Sequence, residues 1–83
     1  MSLTKEHLQN TFNTAKENGV DYVFVAIIAE GVEEVIVIPK QSFDAKKMFY
    51  LEAYNNELIH VMNKNVYIRD LSYGSCYELE NII

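Results

Sequence analysis

The stretch Tyr22-Val23-Phe24-Val25-Ala26-Ile27-Ile28-Ala29 decides the fold of this chain. It is β-branched and aromatic, and it is too short for a well-formed buried helix, so it reads as a strand. Glu30-Gly31 interrupts it, Val35-Ile36-Val37-Ile38 resumes it, and Pro39 ends it, because proline lacks the N–H that a central ladder requires. Two such runs around a short glycine-containing segment predict an antiparallel hairpin. The first run is apolar on both faces, with Tyr22, Phe24, Ala26 and Ile28 on one and Val23, Val25, Ile27 and Ala29 on the other. A sheet with one wet face alternates instead. Either helices and the tail cover both faces, or one face meets another molecule. On the second reading Val23, Val25 and Ile27 are the candidate residues for self-association as a homodimer.

Working outward, the segment before the hairpin predicts a helix from Lys5 to Asn18. Thr4 is a good cap, Leu3 and Leu8 occupy the two positions of a hydrophobic staple, and Leu8, Phe12 and Ala15 recur at helical spacing. Asn18-Gly19 supplies the left-handed stop. After the hairpin, Ser42 and Asp44 predict a second helix start, and Phe43, Tyr50, Leu51 and Tyr54 share one of its faces. Asn55-Asn56 is the expected stop. Residues 57–62 divide between an extension of that helix and a further strand, with the asparagines favouring the strand. Val66 to Leu71 is a strand under either reading. Ser75-Cys76-Tyr77-Glu78 has the spacing of a capping box, which admits a short terminal helix.

The order α-β-β-α-(β)-β predicts a single α+β domain over residues 1–83. Two helices pack on a three- or four-stranded, mainly antiparallel sheet, the natural two-layer solution for such a chain. An 83-residue chain buries only ~60–65% of its unfolded surface, so one modest core is the ceiling. The lone Cys76 closes no intrachain disulfide and suits a reducing compartment. The amino terminus lacks a secretory pattern, and the longest apolar run falls far short of the ~20 residues that cross a bilayer. A cytoplasmic protein without membrane contact is expected.

Seven basic residues stand against twelve acidic ones, for a net charge of −5. Nucleic-acid binding normally needs a basic patch, and the single adjacent pair, Lys46-Lys47, shares its helix with Asp44 and Glu52. Direct nucleic-acid binding is therefore not expected. Two histidines more than fifty positions apart, one cysteine and scattered carboxylates match no zinc spacing, and no segment has the alternating oxygen ligands of a calcium loop. Gly31 and Gly74 are isolated turn glycines and form no phosphate loop. No catalytic residue, cofactor or metal is expected.

Two features remain as candidate interaction sites. Glu30, Glu33 and Glu34 cluster at the hairpin connection, where the plain reading is a solvated turn that discourages edge pairing. The sharper reading is an acidic knob for a basic partner surface. Six tyrosines are many for this length, and Tyr73, beside Gly74 in a predicted turn, and Tyr77 are the best candidates for exposed contacts.

The hairpin, the segment Phe49-Tyr50-Leu51-Glu52-Ala53-Tyr54-Asn55-Asn56-Glu57-Leu58 and the asparagine-flanked strand after it resemble small uncharacterised proteins encoded in phages and prophages of Gram-positive bacteria. The resemblance implies an intracellular accessory protein acting by binding another protein, and it assigns no functional residue. The expectation is a non-enzymatic protein-interaction module with an unknown protein partner. The alternatives are an acidic inhibitor that occupies a nucleic-acid-binding surface, and a small enzyme using Cys76 or His60.

Overall fold

The computed structural model describes residues 3–75. Helix α1 spans Lys5–Asn18, strand β1 Tyr22–Ala29, strand β2 Val32–Pro39, helix α2 Phe43–Ala53 and strand β3 Val66–Gly74. Together they form the predicted α+β arrangement. The sheet order is β2-β1-β3, with both neighbours antiparallel to the central β1.

Local chemistry sets the limits of α1. Thr4 is extended at the cap, and its backbone N–H donates to His7 Nδ1 at 3.1 Å, so a histidine fills the place that Glu or Gln takes in a capping box. His7 is exposed, yet it does this work. At the other end Gly19 has φ +66°. Its N–H reaches the Lys16 carbonyl, and the Val20 N–H reaches that of Ala15, the double bond of a Schellman stop.

Ala29 pairs with Val32, so the hairpin turn is the two residues Glu30 and Gly31, at φ 53° and 80°. Positive φ at both positions matches the right-handed twist of the flanking strands. Strand β2 therefore begins earlier than the predicted Val35 and takes in Glu33 and Glu34. Between β1 and β3 the register shifts by one, with Ala26 opposite Asp70 and Ile27 opposite Ile68. Arg69 is the extra residue of this bulge.

Both helices lie on one side of the sheet. Val23, Val25, Ile27, Ile38 and Ile68 pack there against Leu8, Phe12 and Ala15 of α1 and Phe43 and Tyr50 of α2. Phe12 and Phe43 meet edge to face across the helix pair at 5.8 Å. The side chains Val23, Val25 and Ile27, expected as the self-association face, are thus core. Val23 and Val25 are fully buried beneath the helices.

Helix α2 ends at Ala53, ahead of the predicted asparagine stop, and residues 57–62 are neither helix nor a regular strand. Asn55 decides this. Its Oδ1 accepts the N–H groups of Glu57 and Ile59 at 2.9 and 3.0 Å, offering the backbone an alternative to both ladders. What remains of the fourth strand is two isolated bridges, Tyr54 to His60 and Ile59 to Tyr67. The knot turns Leu58 to φ 60° and buries it completely. Replacing Asn55 by alanine removes both hydrogen bonds, each worth about 0.5–1.5 kcal/mol net. About 1–3 kcal/mol of stability is expected to be lost, while Asn55→Asp, which keeps the acceptor, retains most of it. Urea midpoints of the two variants check this.

Candidate interaction surface on the open face of the sheet

Directly opposed residues in an antiparallel sheet share a face, so the register defines the side away from the helices. Tyr22, Phe24, Ala26 and Ile28 run along its centre. Pro39, Val37, Val35 and Glu33 lie opposite them on β2, and Gly74, Ser72, Asp70 and Tyr67 on β3. Among the described residues no helix covers this side. Val35 is 59% exposed and Val37 38%, while Tyr22, Phe24 and Ile28 are half-buried. The Tyr22 and Phe24 rings lie 6.3 Å apart in a tilted pair. This is the surplus apolar face of β1, and it is the even-numbered side.

One ion pair crosses the face. Arg69 Nε donates to Glu33 Oε1 at 3.1 Å, and the guanidinium engages the same oxygen through a second nitrogen. Strands β2 and β3 flank β1, so the pair bridges ~10 Å over the central strand. Ala26, on the same side of β1, is buried. The bulge at Arg69 aims the side chain there, as bulges re-aim residues elsewhere. Glu33 also raises the Arg69 pKa, by hydrogen bond first and by charge second. The result is an apolar stripe whose charges are largely matched internally.

The three carboxylates singled out in the sequence do not form one array. Glu33 belongs to the open face, whereas Glu34, opposite Ile27, points to the helix side. Glu30 accepts a hydrogen bond from the Asn63 amide at 3.1 Å. Tyr73 lies within β3 rather than in a turn, opposite Val23 on the helix side, where the Asn18 amide donates to its hydroxyl at 3.4 Å. Tyr77, Cys76 and the terminal helix expected after Ser75 lie outside the described residues.

The histidines serve local structure. His60 Nδ1 accepts the Met62 N–H at 3.0 Å, and its ring stands edge-on to Tyr54 at 5.2 Å. A concavity of about 510 Å³ at the outer edge of β3 is lined by Leu3, Glu57, Ile59, Lys64 and Tyr67, without a nucleophile–base pair. Among the described residues no group of three or more His, Cys, Asp or Glu side chains could hold a metal ion, and no helix is long and apolar enough to cross a membrane. A second exposed apolar group, Phe49, Val61 and Met62, went unread in the sequence. The Val61 N–H bonds to Ala53 O, which sets Val61 beside the C-terminal end of α2. In comparisons with known proteins the chain matches no family model, no curated protein and no solved structure.

Proposed function

We propose that this chain is a non-enzymatic protein-interaction module that self-associates through the open face of its sheet. The observation that carries the reading is the run of Tyr22, Phe24, Ile28, Val35 and Val37 on a side that no described element covers. Two copies each carrying −5 repel unless the surfaces that meet are poor in charge. The open face carries little charge, because Glu33 and Arg69 neutralise each other on it and leave Asp70 as its one unmatched carboxylate among the described residues. Aromatic rings flanked by valines are also the composition of an interface core. An accessory role in the cytoplasm, as the resemblance to prophage proteins implies, belongs to the same proposal. The reading as an acidic mimic draws less support, since the three carboxylates are divided between two faces and a turn.

Light scattering over a range of concentrations tests the proposal. The mass is expected to rise above the 9.6 kDa of a single chain as concentration increases. Phe24→Gln, which places an amide in the centre of the face, is expected to weaken association at least tenfold. Tyr22→Ser serves if that variant loses its far-ultraviolet dichroism. A mass of 9.6 kDa at every concentration overturns the proposal.

A further inference from the structure

The two edges of the sheet are unequal. On the outer side of β3 the Ile68 N–H donates to the Leu58 carbonyl at 2.9 Å, and the Val66 carbonyl accepts the His60 N–H at 2.8 Å. The loop of residues 58–60 therefore occupies the Val66–Ile68 end of that edge, and beyond it the Leu71 N–H is held by Asp70 Oδ1 at 2.8 Å. The outer edge of β2 has no backbone partner among the described residues.

The hairpin fixes which β2 groups point outward. In a two-residue hairpin the closing pair, Ala29 and Val32, exchanges hydrogen bonds, and bonded and non-bonded pairs then alternate along the ladder. The bond from Lys40 N–H to Asp21 O at 2.9 Å, at the other end of the hairpin, keeps the same parity. Even-numbered β2 residues thus bond to β1. Glu33, Val35 and Val37 direct their N–H and C=O groups away from the sheet.

Sheet edges that stay single are protected by charged side chains along the strand, internal prolines, bulges or short strands, and on β2 the charges, Glu33 and Glu34, sit only at its start. Strand β2 has eight residues, pairs with β1 without a bulge and carries its proline only at the last position. Its charges follow a simple order: Glu33 and Glu34 at the start, valines and isoleucines through the middle, Lys40 just past the end. Two such strands placed side by side in parallel set like charges together. Placed antiparallel, they set each acidic start beside the other copy's Lys40. The present partner of Lys40, Asp21 at 3.6 Å, is an exposed contact of little energy that leaves the lysine available.

We infer that the β2 edge pairs antiparallel with the β2 edge of a second copy, across a two-fold axis, to give a continuous six-stranded sheet. In a pairing centred on Ile36, Val35 of one copy lies opposite Val37 of the other. Glu34 then lies diagonal to Lys40, within reach of its long side chain. All helices stay on one side and the two open faces become one. That union matters for size. Strands of eight, eight and nine residues present a footprint of only ~400 Å² by strand spacing and rise, and a stable interface takes ~800 Å² per partner. The joined face approaches that value, whereas the single face supports only a weak, concentration-dependent contact.

The edge contact rests on backbone atoms, the open-face contact on side chains, so one experiment separates them. Proline at Val37 removes an outward N–H while leaving the β1 ladder intact, and Val37→Ala controls for the lost side chain. Association followed by light scattering is expected to be at least tenfold weaker in V37P than in V37A, while F24Q, which loses the open-face contact, is expected to keep only a two-copy species held by the edge. Equal association of V37P and V37A within twofold, with loss in F24Q, overturns the edge pairing and leaves the open-face reading standing. A single-chain mass at every concentration overturns both. Should V37P fail to fold, amide exchange in the wild type decides the matter. The Val35 and Val37 amides are expected to gain at least tenfold protection as concentration rises, and unchanged protection overturns the inference.

Discussion

Replacing Leu58 by alanine is expected to lower the stability of this domain by about 2–5 kcal/mol, the range for a leucine removed from a core that relaxes only in part. Leu58 is among the largest fully buried side chains, in one cluster with Tyr50, Tyr54, Leu8 and Ile68. Collapse around the vacancy is restricted because its backbone is already fixed. The Leu58 N–H donates to Asn55 O at 2.9 Å, and its carbonyl accepts the Ile68 N–H. Alanine also gains nothing from the backbone, since φ 60° is unfavourable for it too. A domain of this size holds ~5–10 kcal/mol in all, so the variant is expected to be partly unfolded at physiological temperature. Urea denaturation measures the loss, and a change below ~1 kcal/mol would show that this loop does not anchor the core.

The second large effect is alkaline. Burial, with the neighbouring Tyr54 adding to it, pushes the Tyr50 phenol up to about 12, and burial moves Tyr54 in the same direction. In the unfolded chain tyrosine ionises near 10. Below that pH the phenol is protonated in both states and stability is undiminished. Between pH 10 and 12 the unfolded chain loses the proton while the folded one keeps it. The unfolded state then binds fewer protons, and stability falls as pH rises, by ~1.4 kcal/mol per unit or roughly 3 kcal/mol across the window. The comparison with Tyr50→Phe isolates the effect. The phenylalanine variant is expected to lose stability less steeply above pH 10, by one proton's slope. Parallel curves for the two proteins would contradict the assignment.

The elements that local chemistry specifies were legible in the sequence. Helix α1 and strand β1 have the predicted limits, because Thr4, the Leu3–Leu8 staple, Gly19 and the β-branched run act within a few residues of themselves. Glu33 and Glu34 resembled turn residues; an exposed edge strand tolerates both, and Glu30-Gly31 alone makes the turn. The loop after α2 resisted reading because its shape depends on one amide, Asn55, and on a leucine in a left-handed conformation. Which side of β1 the helices cover was not legible from β1, whose two faces are equally apolar. The answer lies in β3, where Asp70 and Ser72 fall on the open face while Ile68 and Leu71 turn inward. Those two residues are three apart rather than two, and the bulge at Arg69 accounts for the difference. A pattern of period two cannot show it in advance.

The open face is the centre of this account, and amide chemical shifts recorded across a dilution series by nuclear magnetic resonance test it most directly. Shifts that move with concentration are expected at Tyr22 to Ile28, at Glu33 to Val37 and at Tyr67 to Ser72. The outer surfaces of α1 and α2 are expected to stay still. Shifts that move on the helices while the sheet stays fixed, or that do not move at all, would contradict it.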